Sequence, residues 1–118
     1  MLKIPFNPSI SADQTFRVLI PERMVISLRL TWNTRDSAWY MSISSDRGEI
    51  GALRVVEQWP LLFSHKALSP IDGDIIVFPL SDGKGKPLSE YDALGDSWGI
   101  FWIDENDLAD WEASNDMG

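Results

Sequence analysis

A strict two-residue alternation of apolar and other side chains runs through residues 24–33. The apolar positions are Met24, Ile26, Leu28, Leu30 and Trp32. Successive side chains on a β-strand point to opposite faces, so this pattern predicts a strand with one buried face. After the polar residues 33–37, the alternation resumes with Trp39, Met41 and Ile43. Because the two apolar faces can stack, the stretch predicts a β-hairpin.

Further short strands are predicted on either side of this hairpin. Alternation and short apolar runs place them at residues 15–20, 49–57, 74–80 and 97–103. Gly51 interrupts one of them and indicates a β-bulge or a close backbone approach. The last has apolar side chains on both faces, which favours a central or interface position. We therefore predict an all-β fold, a single small antiparallel β-sandwich or open barrel of about six to seven strands.

The two ends of the chain differ from the rest of this predicted β-domain, which we place at residues 1–103. Pro5 and Pro8 indicate an irregular N-terminal arm over residues 1–14, or at most a peripheral strand. Residues 104–118 form an acidic C-terminal tail, with at most one helical turn near residues 106–111. We expect the tail to be partly mobile and to contact a basic surface on assembly, the alternative being a solvated segment that only aids solubility.

Charge and composition narrow the classes of function. The chain has 118 residues and a net charge of -8, and most of the excess lies in the tail, which carries six acidic residues and no basic one. Such a terminus repels phosphate backbones and disfavours nucleic-acid binding. With no cysteine, disulfides and thiolate metal sites are excluded. No apolar run approaches a membrane span, so we expect no membrane partner and synthesis in a cytoplasm.

The candidate chemical motifs are weak. The one histidine, His65, adjoins Ser64, but neighbouring side chains on a strand point apart and do not form a nucleophile–base pair. Asp72, Gly73 and Asp74 lack the further oxygen ligands of a calcium loop, and we interpret them as a turn. Residues 83–86 lack the spacing of a phosphate-binding loop and are interpreted as a hairpin tip. We predict no enzyme, no cofactor and no metal site.

Six tryptophans are a high count for a chain of this length. Trp32 and Trp39 lie on the apolar face of the hairpin, where core packing is the favoured interpretation. Trp59 and Trp111 lie outside the clear strands and are candidates for a protein interface. The acidic candidates for the same interface are Asp104, Glu105, Asp107 and Asp110. A different class of function stays open, a carbohydrate- or small-ligand-binding β-module that uses exposed tryptophans.

Trp32, Asn33 and Arg35, followed by Trp39 and Tyr40, resemble the hairpin motif of the phage tail baseplate plug family. The likeness extends over residues 14–103. Outside the hairpin, it rests on Gln14, Phe16, Gly48, Leu61, Leu62 and Gly73, and on the step before the last strand, which consists of Tyr91, Asp92, Leu94, Gly95 and Asp96. Within the motif, Asn33 can satisfy backbone groups of the turn, and Arg35 can stack on an aromatic ring or pair with a carboxylate such as Asp36.

The resemblance implies a structural protein of the virion and no catalysis. Members of this family belong to the baseplate of a contractile myophage tail, near the central hub and tube, where they help to close or staple the inner baseplate. The implied partners are other baseplate proteins, namely hub, tube or wedge components, and several copies are expected in the assembly. The order of the motifs and the small β-domain read from the residues agree with this implication.

Overall fold

The computed structural model describes residues 2–20, 23–62, 70–80 and 85–116, with the side chains at positions 112 and 114–116 excepted. Its elements are β1 (Leu2–Ile4), β2 (Asp13–Ile20), β3 (Met24–Asn33), β4 (Ala38–Ser45), β5 (Gly48–Arg54), β6 (Asp74–Pro79), β7 (Trp98–Ile103) and α1 (Glu105–Asp116). All strand pairs are antiparallel, in a three-stranded sheet of order β1-β7-β6 and a four-stranded sheet of order β2-β3-β4-β5. Neither sheet closes into a barrel, so the predicted small all-β fold takes its sandwich form.

The predicted hairpin is confirmed as β3 and β4, with β3 starting and ending where the alternation does. Trp32 and Trp39 lie directly opposite each other in the register of the two strands. The apolar face of the hairpin is turned towards the other sheet. Ile26, Leu28 and Leu30 are fully buried there.

The irregularity expected at Gly51 is present in β5. Met41 pairs with Leu53 and Ile43 pairs with Ile50, so β5 holds one residue more than β4 over the same stretch. This is the arrangement of a β-bulge. The predicted strand over residues 49–57 is too long, because the chain leaves this sheet after Arg54 and forms a bridge to β6 at residue 57.

The main hydrophobic core lies between the two sheets. It unites side chains of β3 and β4 with side chains of β1, β6 and β7. The fully buried members of the three-stranded sheet are Ile4, Ile75, Val77 and Ile100. Burial of apolar surface between two layers is the main stabilising term in a domain of this size.

Both faces of β7 are covered, as its sequence predicts. It lies between β1 and β6, and Ile100 and Trp102 face the main core. On the opposite face, Ile103 and Ile76 form a second small core with Leu108 of α1. The helix therefore covers the outer face of the three-stranded sheet.

The expectation for the C-terminal tail was wrong in its structure. We expected one helical turn at most, and α1 has 12 residues. Its start is favoured locally, because Asp104 Oδ1 accepts a hydrogen bond from the backbone N–H of Asp107 at 2.8 Å and acidic residues occupy the first turn. Packing of Leu108 onto the sheet stabilises the rest of the helix, and the sequence pattern did not reveal this contact.

The N-terminal arm is not irregular throughout. It contains β1, the peripheral strand that we allowed, and β1 pairs with β7 from Leu2 opposite Trp102 to Ile4 opposite Ile100. β2 also begins at Asp13, two residues before the predicted start. A three-residue strand that ends before Pro5 is too short to show an alternation, so only the pairing with β7 reveals it.

Candidate interaction surface

The tryptophans of the hairpin motif lie in an aromatic cluster. The rings of Trp32 and Trp39 meet edge to face with centroids 5.6 Å apart. Tyr91 lies 5.3 Å from Trp32 and 5.1 Å from Trp39, and Phe6 lies 5.1 Å from Trp39. The indole N–H of Trp39 donates a hydrogen bond to the Tyr91 carbonyl oxygen at 3.1 Å, and Trp39 is only 1% exposed. The core-packing interpretation of this tryptophan is confirmed.

Asn33 closes the hairpin turn. Its side-chain oxygen accepts hydrogen bonds from the backbone N–H of Arg35 at 2.9 Å and of Asp36 at 3.2 Å, as predicted for this residue. The Asp36 carboxylate also accepts a hydrogen bond from the Tyr40 hydroxyl, and this bond raises the pKa of Tyr40. Arg35 is exposed, and among the described residues neither an ion pair nor an aromatic stack involves it. Asp36 therefore bonds to Tyr40 and not to Arg35.

Leu94 and Gly95 fasten the N-terminal arm to the sandwich. Leu94 is fully buried, and Gly95 has a φ of 96° in the left-handed region that favours glycine. A Cβ at Gly95 would lie 2.4 Å from the carbonyl oxygen of Phe6, so the arm can approach only because the side chain is absent. Nearby, the Tyr91 hydroxyl donates a hydrogen bond to the Pro8 carbonyl oxygen at 2.6 Å. The motif residues of the hairpin and those around Leu94 and Gly95 thus lie at one junction, where the hairpin, the loop before β7 and the N-terminal arm meet.

The two candidate interface tryptophans contact each other. The rings of Trp59 and Trp111 lie 5.1 Å apart, with their planes at 89°. Trp59 lies in the segment between β5 and β6 and is 45% exposed, whereas Trp111 is partly buried against the small core beneath α1. The structure thus joins two residues that are 52 positions apart in the sequence and leaves part of the pair open to solvent.

The four acidic candidates have different environments. Asp104 caps the helix, and Asp107 is half-buried. Glu105 Oε1 lies 2.8 Å from Arg23 Nη1, and this hydrogen-bonded ion pair lowers the pKa of the Glu105 carboxyl. Asp110 is exposed. Asp104 and Glu105 therefore make identified contacts within the molecule, whereas Asp110 is open to solvent.

Arg23 holds α1 from the turn that precedes β3. Besides the Glu105 contact, its guanidinium carbon lies 5.3 Å from the centroid of the Trp102 ring, within the range of a cation–π contact. This residue was missed by the sequence analysis. Its neighbours in the chain show no pattern that links it to a segment 82 residues away.

A shallow depression of about 580 Å³ lies on the outer face of the four-stranded sheet, beside the hairpin turn. Its lining consists of Arg29, Thr31, Trp32, Asn33, Thr34, Arg35, Tyr40, Ser42 and Ala52. The set offers hydroxyl groups and two guanidinium groups, but it contains neither a histidine nor a carboxylate that could activate a nucleophile. Arg29 is itself paired with Asp13 at 2.8 Å. The depression suits polar surface contacts better than catalysis.

Asp72 and Gly73 form a bend where we predicted a turn, and Asp74 is already the first residue of β6. Asp72 pairs with Arg47 at 2.8 Å, and Gly73 has a φ of 74°. The buried Asp74 carboxylate accepts hydrogen bonds from two backbone N–H groups, those of Leu62 at 2.9 Å and of Ile75 at 2.7 Å. Carboxylate oxygens of Asp72 and Asp74 thus bond to N–H donors of the protein itself.

Neither a cluster of metal ligands nor a membrane-spanning helix is present in the part of the chain that the structure describes. Within it, no group of three or more histidine, cysteine, aspartate or glutamate side chains is arranged to hold a metal ion. In the same residues, no helix is long and apolar enough to cross a bilayer. Ser64, His65 and residues 83–84 of the loop predicted as a hairpin tip lie outside the described residues.

Comparison with known families decides the assignment. A family model described as "Cyanophage baseplate Pam3 plug gp18" matches residues 1–105 of the chain. The chain belongs to this baseplate plug family. The resemblance read from the hairpin motif is thereby confirmed, and so is its implication of a structural protein of the phage baseplate. A comparison with curated proteins found no match.

The plug family match and the structure divide the chain at nearly the same residue. The match ends at residue 105, where α1 begins. All seven β-strands and every motif residue lie inside the matched region, whereas Asp107, Asp110 and Trp111 lie beyond it. In this plug-family protein, the acidic helix is therefore an element that the family model does not cover.

The motif of this plug-family protein is visible in its sequence, but two residues that pack against the motif are not. Tyr91 was noted for its place before Leu94 and Gly95, yet nothing in the pattern indicated that its ring meets Trp32 and Trp39. Phe6 gave no signal, because it lies between Pro5 and Pro8 in a segment without periodicity. Both residues were identified only through their contacts in the folded chain.

Proposed function

We propose that this plug-family protein lies near the hub and tube of a contractile tail and helps to close the inner baseplate before infection. The family supports a baseplate role in general, and the finer position is our inference. In this role the protein contacts hub, tube or wedge components and is present in several copies. It is made in the cytoplasm of the host before it enters the virion.

One structural observation carries the proposal, namely that the motif residues form a packing junction. Trp39, Tyr91 and Phe6 come from the hairpin, from the loop before β7 and from the N-terminal arm, and they meet in one cluster. Such a junction makes three separate segments into one rigid unit. Rigid, preorganised surfaces lose less conformational entropy on association, which suits a part that closes an assembly.

The acidic helix supports a second element of the proposal, a contact with a basic surface of a neighbouring baseplate protein. Asp110 is exposed on α1, close in sequence to Trp111, and the partly exposed Trp59 adjoins that tryptophan. Aromatic residues flanked by charge are common in protein interfaces. We assign the candidate interface residues Trp59, Trp111, Asp104, Glu105, Asp107 and Asp110 to this surface, with Asp104 and Glu105 acting mainly on the helix itself.

A carbohydrate-binding module is less well supported. Sugar stacking needs an indole with an open flat face, but Trp39 is buried, and Trp32 is partly buried with the Tyr91 ring 5.3 Å away. Trp59, the most exposed described tryptophan, meets Trp111 edge to face and does not form a flat platform with it. We likewise propose that the protein has no catalytic role and needs no cofactor.

Imaging of whole tails tests the proposal. Cryo-electron microscopy of tail particles that contain a tagged copy of this chain is expected to place it beside the central hub and tube. A tail assembled without the chain is expected to have an open or incomplete inner baseplate. A position on the sheath, on the tail terminator or at the outer rim of the baseplate would contradict the proposed place.

A further inference from the structure

The two open sheets have four edge strands, and three of them are protected against pairing with another chain. β1 is only three residues long. β6 is accompanied by the segment before it, where Gln58 N–H donates to the Val77 carbonyl at 2.7 Å and Leu61 N–H to the Ile75 carbonyl at 2.9 Å. β5 contains the bulge near Gly51. Short length, covering segments and bulges are the usual devices that prevent edge-to-edge association.

β2 is different from these three edges. All eight of its residues are in regular register with β3, and it contains neither a bulge nor a proline. Within residues 2–20, 23–62, 70–80 and 85–116, no other strand pairs with its outer side. A long, regular edge with free backbone groups is a template for an added strand.

The core is incomplete along the same edge. The inward-facing side chains of the neighbouring β3, such as Leu28 and Leu30, are fully buried. The inward-facing Phe16 and Val18 of β2 belong to the same core but are only partly buried. A further strand beside β2 would cover their remaining apolar surface and stabilise the contact by the hydrophobic effect.

The outer face of the edge also exposes apolar surface. Leu19 is 65% exposed and pairs across the sheet with Val25, which is 50% exposed. Arg17 is exposed on the same face, and none of the ion pairs among the described residues involves it. An incoming strand could therefore place an apolar side chain beside Leu19 and an acidic one beside Arg17.

We propose that β2 is the site at which another baseplate protein adds a β-strand to the four-stranded sheet, an inference that rests on the proposed baseplate role. The occupant is an extended segment with alternating side chains. Its inner face is apolar and covers Phe16 and Val18. Its outer face carries an apolar residue beside Leu19 and an acidic residue beside Arg17.

A second copy of this chain fits the edge less well. Side chains directly opposite each other in an antiparallel pair share a face, so only registers that match the inner faces of two β2 strands are allowed. Two symmetric registers pair almost the whole of β2 with β2 of the second copy. The first sets Leu19 opposite Asp13 of the other copy. The second sets Arg17 opposite Arg17 of the other copy, and like charges directly opposite are destabilising.

Lysine substitutions with matched controls test the edge. Leu19→Lys places a charge on the proposed site, and its control is Val56→Lys, which changes an aliphatic side chain that is also exposed, at 39%, beyond the end of β5. Thr15→Lys is paired with Thr34→Lys, which alters an exposed threonine in the hairpin turn. Circular dichroism and the melting temperature show first that all four variants fold like the original chain.

The readout is incorporation into tail particles of a phage that lacks its own copy of the gene. We expect each β2 variant to be incorporated at least about tenfold less than its control, the factor that about 1.4 kcal/mol of binding free energy gives. Hydrogen exchange is expected to slow in β2 when the original chain is in the particle. Equal incorporation of variants and controls, with unchanged exchange in β2, would overturn the edge proposal but leave the baseplate role intact.

Two further measurements separate the edge proposal from the proposed baseplate role and from pairing with a second copy of the chain. If the original chain itself is not found in the baseplate, the proposed function fails, independently of β2. Analytical ultracentrifugation of the isolated chain is expected to show a monomer. A dimer that Leu19→Lys dissociates would assign the edge to a second copy and overturn the proposed occupant.

Discussion

The indole rings of Trp59 and Trp111 meet edge to face, with centroids 5.1 Å apart and planes at 89°. One ring belongs to the link between the two sheets and the other to α1. Their contact therefore joins the acidic helix to the β-sandwich. The two tryptophans that the sequence marked as interface candidates therefore also share a structural role within the molecule.

A double-mutant cycle measures this contact. We expect Trp59→Ala and Trp111→Ala to be non-additive, with a coupling free energy of about 0.5–1.5 kcal/mol, the range of aromatic pairs. Chemical denaturation of the two single variants and the double variant gives the value. Effects that add within about 0.3 kcal/mol would mean that the two rings do not stabilise each other.

The anchoring of α1 is expected to depend on pH through Glu105. Its hydrogen-bonded pair with Arg23 lowers the pKa of the Glu105 carboxyl below the ordinary value near 4.5. A lowered folded pKa means that the stabilisation is present above the unfolded pKa and is lost as pH falls through the folded one. We therefore expect the NMR signals of the Leu108 methyl groups to move towards those of an undocked helix as the solution becomes more acidic than about pH 4.

Two variants isolate this effect. Glu105→Gln should abolish the acid step at Leu108, because it removes the charge at every pH. Asp92→Asn is the control, since Asp92 also has a lowered pKa, owing to its hydrogen bond with Lys86, but lies in the loop before β7. An acid step at Leu108 that persists in Glu105→Gln would assign it to another group.

Trp39→Ala is expected to destabilise the protein by about 3–5 kcal/mol, as removal of a large buried aromatic side chain does. Trp39 is 1% exposed and contacts rings from three segments of the chain. Thermal and chemical denaturation give the value, and Trp59→Ala at a 45% exposed site is the control with a smaller loss. A loss below about 1 kcal/mol would contradict the buried assignment.

Gly95→Ala is expected to be more destabilising than Gly48→Ala. Both glycines have a positive φ, 96° and 140°, so both substitutions strain the backbone by about 1–3 kcal/mol. Only at Gly95 does the new methyl group also meet the Phe6 carbonyl oxygen, since nothing lies within 4 Å of a Cβ at Gly48. Equal losses in the two variants would show that the N-terminal arm does not depend on the close approach at Gly95.

The purified protein is expected to contain no stoichiometric metal. The chain has no cysteine and one histidine, and the described residues contain no cluster of three potential ligands. Elemental analysis after dialysis without chelator is the measurement. A metal content near one ion per chain would contradict the prediction and require a site that includes residues outside the described ranges.

Local pattern was sufficient to predict the hairpin and the class of the fold. The alternation from Met24 to Trp32 reports directly which side chains are buried, because a strand has a period of two and one face in the core. The same period predicted two apolar faces for β7, and an isolated glycine predicted the bulge in β5. The spacing of Trp32, Asn33, Arg35, Trp39 and Tyr40 was also sufficient to identify the family.

Only the tertiary structure decided how these elements combine. A three-residue strand and a helix of low apolar content have weak signals of their own, so β1 and α1 depend on pairing with β7 and on the burial of Leu108. The contacts of Trp59 with Trp111 and of Arg23 with Glu105 join residues that are far apart in the chain. Sequence by itself determined which side chains of the regular strands β3, β4 and β7 are buried, because burial there follows a local period. Which side chains meet across the fold depends on how distant segments pack together, and no local period encodes that.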